Sequence, residues 1–403
     1  MRLIWLAAGL VACLIPSVQA DTYVVLPFFN VSKNSSLDWI GEGLAETLQE
    51  TLSSEGLMVL DRDDRVEVYR RLSIHPYSLL TKASVVKIGE ELDAEHVIFG
   101  EFDMKPASDS SSSGPGSRST SRGSLIIAAR VLHVRGMRLG MEFRDSGAIE
   151  DLASLQNHLA WQALQAVRHN TAATEAEFQQ RHPPVRLDAI ENYTRGLMAA
   201  NPDEKHRFFT QAARLDVHYS QPCFQLGRLL WKRKEYKTAA DWFQRVGSWD
   251  AHYHQANFFL GLCRYYTGDF AGAQAAFQLV ASTVPLNEVF NDLGAAQSRA
   301  NRSEALESFR RALEGDPSDS TYQFNVGYAL WKAGNFTAAA QNFRAVLSHD
   351  ASDEQASLLL TRCENQSGSR AGDPRTEGLE RMKSNYEESA YWQLKAVLQP
   401  DQP

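Results

Sequence analysis

Hydrophobic residues in the first part of the chain alternate between short continuous runs and helical spacing. Four runs rich in aromatic and β-branched residues are typical of buried strands: 22–28, 57–60, 96–102 and 125–134. Apolar side chains three or four positions apart predict helices in the intervening segments and after the last run: 40–52, 66–72, 85–92 and 152–167. This alternation of strands and helices predicts an α/β domain over residues 21–167.

Two segments near this domain have biased composition. Residues 105–124 are rich in Ser, Gly, Pro and Arg and join the third and fourth predicted strands. Such a segment cannot bury enough apolar surface to order itself, so it predicts a disordered hairpin tip. Residues 168–186, which include His182-Pro183-Pro184, predict a linker after the domain.

Beyond residue 186, small and aromatic residues recur at a nearly constant interval. Glycines with spacings of 34, 33 and 33 residues stand at Gly227, Gly261, Gly294 and Gly327. A phenylalanine follows each of them at a similar distance: Phe243, Phe277, Phe309 and Phe343. The glycines are interpreted as points where two antiparallel helices cross closely, and each Phe as packing against the next unit. A repeat of this length predicts a stack of helix pairs.

The repeats extend in both directions from these markers. Residues 193–216 fit the register of a first repeat with a shortened turn, so that about five repeats cover residues 187–351. Residues 352–366 predict a capping helix, because a terminal repeat otherwise exposes its apolar face. Residues 367–376 predict a second linker.

The last segment, residues 377–399, is predicted to be a helix. Apolar side chains at Leu379, Met382 and Tyr386 begin a stripe with helical spacing. Its polar face carries both Glu and Lys or Arg, which favours a helix packed on this same chain. The alternative is a helix that docks on a partner or on a membrane surface.

The 34-residue repeat resembles the tetratricopeptide repeat. Four segments of the first domain look like the amino-terminal TolB and FlgO-like domains of bacterial envelope proteins: YVVLPF at 23–28, DWIGEGLAETL at 38–48, VLDR at 59–62 and IGEELDAEHVIFG at 88–100. The resemblance covers residues 22–145 and implies a non-catalytic module of an envelope complex; the Ser-rich segment departs from it. The fold class expected is an α/β amino-terminal domain followed by an all-α tetratricopeptide-repeat superhelix.

Residues 1–20 have the pattern of a secretory signal peptide. Arg2 precedes an apolar run, and Val18-Gln19-Ala20 places small residues at the cleavage positions before Asp21. The chain is therefore expected to be exported to the periplasm or cell envelope. The alternative is a lipoprotein acylated at Cys13, because Leu10-Val11-Ala12-Cys13 resembles a lipoprotein box. No later apolar run is long enough to cross a bilayer.

Composition excludes some classes of function. The 403 residues carry a formal charge of −8, with 41 Lys and Arg against 49 Asp and Glu, and no stretch concentrates the basic residues. A nucleic-acid partner is therefore not expected. Beyond Cys13 the cysteines are Cys223, Cys263 and Cys363; apolar filling of helices is favoured over a redox or intermolecular thiol.

One glycine pattern resembles a dinucleotide-binding fingerprint. Gly41 and Gly43 open a predicted helix, and Asp61 ends the next strand. However, the sixth position of the pattern is Glu46, whose negative charge would repel a pyrophosphate. In addition, a long loop separates the first strand from Gly41. Close packing is the favoured interpretation of both glycines.

Two further patterns resemble catalytic or metal sites. Ser84-Val-Val-Lys87 matches the nucleophile motif of penicillin-recognising enzymes, but none of the companion motifs follows. His252 and His254 flank Tyr253 between two repeats and need further ligands from elsewhere to hold a metal. No enzyme, cofactor or metal site is therefore predicted.

The repeats offer a surface for a partner. In tetratricopeptide repeats the first helix of each pair lines the concave face, with positions about three before and one, four and five after the marker glycine pointing into the groove. Carried onto this chain, these positions give a partner-binding groove of the following residues: Phe224, Arg228, Trp231, Lys232, Phe258, Leu262, Tyr265, Tyr266, Asn291, Arg299, Phe324, Tyr328, Trp331 and Lys332. Aromatic rings with interspersed cations suit another protein or an extended peptide with carboxylates. The alternative is that these aromatic residues only pack the helices.

The function expected from the sequence is an exported adaptor or scaffold of the bacterial cell envelope that binds a partner in this groove. Two alternatives remain open. One is an enzyme or enzyme regulator with a site in the α/β domain, and the other is a structural component of the envelope.

Overall fold

The computed structural model describes residues 21–32, 34–105, 123–168, 174–370 and 372–398. The predicted signal peptide and Cys13 lie outside these residues, as does most of the Ser-rich segment. In the amino-terminal domain seven strands form one sheet: β1 Thr22–Val25, β2 Phe29–Asn30, β3 Met58–Val59, β4 His96–Lys105, β5 Ser124–His133, β6 Arg138–Leu139 and β7 Phe143–Ala148. Four helices accompany them: α1 Asp38–Ser54, α2 Arg62–Arg71, α3 Lys82–Glu91 and α4 Leu152–Val167.

The sheet is mixed, with the strand order β3-β1-β4-β5-β6. Strand β1 is parallel to β3 and β4, whereas β4 and β5 form a long antiparallel pair from His96 opposite His133 to Lys105 opposite Ser124. Because side chains alternate along a strand, Val25 packs with α1 and α4 on one face and Val24 packs with α2 and α3 on the other. A mixed sheet covered by helices on both faces is consistent with the predicted α/β domain.

The predicted linker 168–186 is partly wrong, because Glu175–Arg181 forms helix α5. The side chain of Thr174 accepts a hydrogen bond from the backbone N–H of Glu177, and the Glu177 carboxylate accepts one from Thr174. Phe178 is buried in the core of the α/β domain. The helix is therefore a docked part of this domain, capped at its start and anchored by one aromatic side chain.

Five helix pairs follow: α6 Leu187–Met198 with α7 Pro202–Leu215, α8 Gln221–Lys232 with α9 Tyr236–Phe243, α10 Tyr253–Tyr266 with α11 Phe270–Thr283, α12 Asn287–Arg299 with α13 Ala305–Gly315, and α14 Ser320–Lys332 with α15 Phe336–His349. Helix α16, Glu354–Glu364, stands at the predicted capping position. The predicted stack of helix pairs is confirmed.

The marker glycines have the expected steric role. A Cβ atom on Gly261 would lie 2.7 Å from the ring of Phe277, so the phenylalanine packs against the glycine of its own pair. The same relation holds for Gly196 and Phe209, which extends the register to the first repeat. Glycine is required at these crossings because a larger residue would separate the two helices.

The first repeat and the α/β domain share a buried boundary. The hydroxyl of Tyr193 on α6 donates to the carboxylate of Glu50 on α1 at 3.0 Å. Ile190 on α6 belongs to the core of the α/β domain, and Gly43 on α1 leaves room for Thr194. The domain therefore lies directly against the start of the repeats.

The carboxy-terminal helix is shorter than predicted. Among the described residues of this segment, helix α17 covers only Glu388–Leu398, and residues 376–387 have no helix or strand. Gly378 adopts a φ of 73°, which is unfavourable for a helix of L-residues. We call residues 376–387 the tail segment; it lies along the first helices of the repeats, whose side chains take up its backbone hydrogen bonds.

Candidate functional site: the concave face of the repeats

The chain after the last repeat is held at the concave face by two hydrogen bonds, which its backbone carbonyl groups accept. The indole Nε1 of Trp331 donates to the carbonyl of Ser367 at 2.8 Å. The hydroxyl of Tyr328 donates to the carbonyl of Thr376 at 2.7 Å. Both aromatic residues lie on α14, so this helix guides the chain from the end of the repeats into the groove.

Two buried asparagines hold the backbone of the tail segment at Arg381. The side-chain oxygen of Asn325 accepts from the amide of Arg381 at 2.8 Å, and its side-chain nitrogen donates to the carbonyl of the same residue at 2.7 Å. Asn291 donates to this carbonyl as well, at 2.8 Å. An amide side chain that satisfies both backbone groups of one residue holds an extended chain without reading its side chains.

Asp292 continues this contact two residues further along. Its Oδ1 accepts from the amide of Lys383 at 2.8 Å and from the side chain of Asn291 at 3.0 Å. The carboxyl group is buried, and this burial raises its pKa well above the usual value. A buried acid of this kind depends on the tail segment for one of its few hydrogen bonds.

The basic side chains of the tail segment meet acidic partners on the repeats. The Arg381 guanidinium lies 2.7 Å from Asp353 and 3.5 Å above the ring of Phe324. The Lys383 ammonium lies 2.6 Å from Asp319. Both aspartates cap helices, Asp353 at the start of α16 and Asp319 at the start of α14, so the inter-repeat turns fix the acidic groups at the edge of the groove.

The acidic residue before Arg381 has the opposite environment. Glu380 accepts from the hydroxyl of Ser298 at 2.6 Å and lies 3.6 Å from the Lys332 ammonium. Lys332 also donates to Ser298. The groove thus offers a cationic position for Glu380 and anionic positions for the two basic residues, which is charge complementarity at three side chains.

Beyond this charged stretch the chain meets aromatic residues of α10. The ring of Tyr386 packs edge-on against Phe258 with centroids 5.1 Å apart. The hydroxyl of Tyr391, on α17, hydrogen-bonds to Nδ1 of His254 at 2.9 Å. The predicted packing of the carboxy-terminal segment on its own chain is therefore observed, although its first part forms no helix.

The predicted groove residues fall into two groups. Those that line the path of the tail segment include Phe258, Asn291, Phe324, Tyr328, Trp331 and Lys332, with Tyr265, Tyr266 and Arg299 beside Glu377 and Glu380. The others pack the repeats or face the α/β domain: Phe224, Arg228, Trp231, Lys232 and Leu262. Sequence reasoning missed Asp292 and Asn325, which lie two positions before their marker glycines, and the capping residues Asp319 and Asp353. Asp292 and Asn325 could have been found from the sequence, because a polar residue stands two positions before the marker glycine in these two successive repeats.

The α/β domain closes the groove at the early repeats. Arg228 on α8 lies 3.5 Å from Asp63 on α2. Phe224 stacks on His252 with ring centroids 4.5 Å apart. The part of the predicted groove formed by α8 therefore faces this domain.

The glycines of the dinucleotide-like pattern are packing positions. The amide of Phe28 donates to the carbonyl of Gly41 at 3.1 Å, and a Cβ on Gly41 would clash with the carbonyl of Phe28. Gly43 faces the first repeat. The helix start is thus packed against the protein itself.

Replacing Gly41 by Ala is expected to lower the free energy of unfolding by about 1–3 kcal/mol, because the added methyl group must push α1 from the sheet. Chemical denaturation of the purified variant measures the loss. Gly136→Ala is the matched control: Gly136 is exposed, and its added Cβ would meet only the flexible side chain of Arg138. Equal stability of the Gly41→Ala variant and the unmodified protein would contradict this packing.

The other candidate motifs have ordinary structural partners. Ser84 hydrogen-bonds to Thr81, which caps α3, and Lys87 lies 4.0 Å from Glu90 on the helix surface. Both ring nitrogens of His254 are engaged, Nε2 with Thr283 at 3.1 Å and Nδ1 with Tyr391. Burial lowers the pKa of His254 to about 4, which keeps it neutral near pH 7. Neither pattern assembles a nucleophile or a metal site.

One group of potential metal ligands occurs among the described residues. Ligand atoms of Asp21, Glu95 and His96 lie within 4.8 Å of one another at the edge of the sheet. The pKa of Glu95 is raised by its hydrogen bond with Asp21 and by burial.

The three described cysteines are buried and form no disulfide. Burial raises their pKa to about 11 for Cys223, about 12 for Cys263 and about 11 for Cys363. A thiol reacts as its thiolate, so these groups are protonated and unreactive near pH 7. They act as small apolar side chains of the helix pairs.

A buried charge network joins α1 to α2. Arg65 lies 2.6 Å from Glu42 and 3.9 Å from Glu46, and Arg62 also pairs with Glu42. Burial raises the pKa of Glu46 to about 7, an effect that Arg65 opposes and Glu42 reinforces. Glu46 also borders the cavity between the α/β domain, the repeats and α17.

Glu46 is expected to make stability depend on pH. A carboxyl whose pKa is raised on folding stabilises the fold below its ordinary value of 4.5, and this contribution is lost as the pH rises through about 7. We expect Glu46→Gln to be more stable than the unmodified protein by about 2–3 kcal/mol at pH 8 and to be nearly equal to it near pH 4. Unfolding at both pH values tests this, with Glu314→Gln on the exposed face of α13 as the control. A variant that keeps the original pH dependence would contradict the assignment.

Comparisons with known proteins bear on the repeats. Residues 295–357 match the tetratricopeptide repeat family. A comparison with curated proteins gave no match. Among solved structures, MamA from Desulfovibrio magneticus RS-1 is 20% identical, with 41% of this chain and 95% of that chain covered and a TM-score of 0.37. YrrB, described as a TPR protein with an unusual peptide-binding site, is 20% identical, with 48% and 93% covered and a TM-score of 0.35. PilF of Pseudomonas aeruginosa is 16% identical, with 44% and 83% covered and a TM-score of 0.36.

The helix pairs form a superhelix like that of tetratricopeptide repeats, whose family matches residues 295–357; repeats of this kind are typical of protein-interaction scaffolds. None of the helices among the described residues is long and apolar enough to cross a membrane.

Proposed function

We propose that this protein is an exported interaction scaffold of the bacterial cell envelope whose concave face binds an extended segment of a partner protein. The observation that carries the proposal is the pair of buried asparagines, Asn291 and Asn325, which hold both backbone groups of an extended residue. Backbone recognition in a groove with fixed charges at its edge is a common way to bind a peptide.

Two segments of the sequence, residues 1–20 and 22–145, support export and an envelope location. Residues 1–20 have the pattern of a cleavable signal peptide, and acylation of Cys13 is the alternative route to the envelope. The resemblance of residues 22–145 to TolB and FlgO-like domains supports an α/β module that takes part in an envelope complex. We propose that this module positions the groove within such a complex and has no catalytic role.

Site-specific photo-crosslinking in the native host tests the groove. Tyr266 is 49% exposed and borders the concave face beside Glu377 and Glu380, so a crosslinker there reaches a bound partner. A crosslinker at Arg310, on the exposed face of α13, is the matched control. We expect an adduct from Tyr266 that Arg310 does not give.

The crosslinked segment of the partner is then synthesised and titrated against the purified protein. The proposal predicts that it binds and that Asn291→Ala/Asn325→Ala abolishes the binding. Identical adducts at both positions, or a segment that binds the asparagine variant equally well, would refute a groove function.

A further inference from the structure

We propose that the tail segment is an internal copy of the partner's binding motif and blocks the groove until a partner segment of the same chemistry replaces it. This inference rests on the proposed function. The partner segment is an extended peptide with an acidic residue, an Arg directly after it, a Lys two positions later and a Tyr three positions beyond that. This is the order of Glu380, Arg381, Lys383 and Tyr386 in the tail segment.

The tail segment is bound as a peptide ligand is bound. It has no helix or strand of its own, and its backbone hydrogen bonds at Arg381 and Lys383 are made with side chains of α12 and α14. Asn291 and Asn325 contact main-chain atoms that every residue possesses. The same groove therefore accepts the backbone of another chain without any rearrangement of the asparagines.

The side-chain contacts define which chain is accepted. Arg381 needs the carboxylate of Asp353, and its guanidinium covers the ring of Phe324. Lys383 pairs with Asp319. An uncharged or reversed residue at either place leaves an acidic group of the groove without its partner, which disfavours other peptides.

The acidic position is equally specific. Glu380 is buried and lies between Ser298 and Lys332, so a cation in its place would face the Lys332 ammonium. Tyr386 then fixes the register, because its ring packs on the buried Phe258 of α10. The four contacts extend from the start of α16 to α10, which is the length of groove that a partner segment must cover.

The connection to the repeats favours a replaceable occupant. Residues 367–375 contain Gly, Ser, Pro and Arg and no helix or strand among those described. A short tether of this kind gives a local concentration in the millimolar range, so the tail competes strongly although each contact is modest. A free peptide binds only the molecules in which the groove is open, so its apparent affinity falls in proportion to the fraction of such molecules.

The test uses a labelled peptide of residues 376–391 and the full purified chain, with binding followed by fluorescence anisotropy. The variant Arg381→Glu/Lys383→Glu weakens only the intramolecular competitor, since both side chains belong to the tail segment. We expect the labelled peptide to bind this variant at least about tenfold more tightly than the unmodified chain. The milder Arg381→Gln/Lys383→Gln variant is expected to give a smaller change in the same direction.

Charge exchange tests the motif. Asp319→Lys/Asp353→Lys, placed in the Arg381→Glu/Lys383→Glu background, is expected to reject the native peptide. The changes Asp319→Lys/Asp353→Lys also restore opposite charges between the groove and the altered tail of this chain. The labelled native peptide should therefore bind the combined variant at least about tenfold more weakly than it binds the Arg381→Glu/Lys383→Glu variant. If the native peptide bound the unmodified chain and the Arg381→Glu/Lys383→Glu variant with equal affinity, the blocking role would be overturned. If a charge-reversed peptide, with Arg381→Glu/Lys383→Glu, bound that variant as tightly as the native peptide does, the motif would be overturned.

Light scattering on the unmodified chain tests the other possible occupant of the groove, the tail of a second copy. Concentration-dependent dimers that dissociate on addition of the peptide would show that the tail of a second copy fills the groove, and would overturn the proposal of a partner segment. Failure of this inference can be distinguished from failure of the proposed function. If the Tyr266 crosslink identifies a partner whose segment does not compete with the labelled peptide, this inference fails while the scaffold function stands.

Discussion

Replacing Arg65 by Met is expected to lower the free energy of unfolding by about 3–5 kcal/mol at pH 7. The Arg65 side chain is only 2% exposed and lies between two buried carboxylates, Glu42 and Glu46. It also donates to the carbonyl of Val25 in strand β1 at 2.9 Å. Its loss would leave buried acidic groups with only Arg62 nearby, and a buried charge without sufficient compensation is costly.

The pH dependence of this variant distinguishes a charge effect from a packing effect. Burial alone would raise the pKa of Glu42, but Arg65 and Arg62 hold it below the ordinary value of 4.5. A lowered carboxyl pKa stabilises the fold above the ordinary value and ceases to do so as the pH falls. The deficit of Arg65→Met should therefore shrink toward pH 4, where the carboxyls can take up protons.

Denaturant unfolding at pH 7 and pH 4 measures both quantities. The control is Arg70→Met on the same helix, whose side chain is 73% exposed and pairs only at the surface with Glu67, so that little change is expected. If Arg65→Met and Arg70→Met were equally stable, the network would not hold α1 and α2 together.

Replacing Trp331 by Ala is expected to cost about 3–5 kcal/mol of folding free energy. The side chain is 1% exposed and belongs to the core of the last repeats. Its indole N–H also satisfies the carbonyl of Ser367, where the chain turns toward the groove. The substitution removes a large buried surface and a hydrogen bond together.

Two further variants separate these contributions. Trp331→Phe keeps most of the aromatic surface and is expected to lose about 1–3 kcal/mol through the unpaired carbonyl. Trp231→Ala is the comparison from the earlier repeat: Trp231 is only partly buried among Tyr236, Phe259 and Tyr266, so its loss should be smaller. A Trp331→Ala protein as stable as Trp231→Ala would contradict this difference. Because Trp331 stabilises the scaffold, the asparagines and charged residues are the better probes of binding.

The fold was largely predictable because its rules are local. The interval between Gly261 and Phe277 recurs to within one residue in the last four repeats, and it is fixed by the close crossing of two neighbouring helices. Four of the seven described strands, β1, β3, β4 and β5, were recognised from runs of β-branched and aromatic residues that fill the sheet core. Helix α5 was missed because the prolines at 183 and 184 suggested a linker, whereas its position is decided by the burial of Phe178 in a core built by distant residues.

The tail segment shows where such rules stop. Leu379, Met382 and Tyr386 have helical spacing, and the pattern contains nothing that excludes a helix. The extended form is stabilised by Asn325 and Asn291, which are 56 and 90 positions away from Arg381. A competition of this kind depends on tertiary contacts, so the occupied groove could be located only from the structure.

Hydrogen exchange of the amides in residues 376–387 tests the central claim that the concave face holds an extended chain. The amides of Arg381 and Lys383 donate to Asn325 and Asp292, so we predict that they exchange slowly, as the helices of the repeats do, and become fast in Asn291→Ala/Asn325→Ala. Unchanged protection of α1 in that variant would show that the fold is intact. Exchange of this segment in the unmodified protein at the rate of a free peptide would contradict the account.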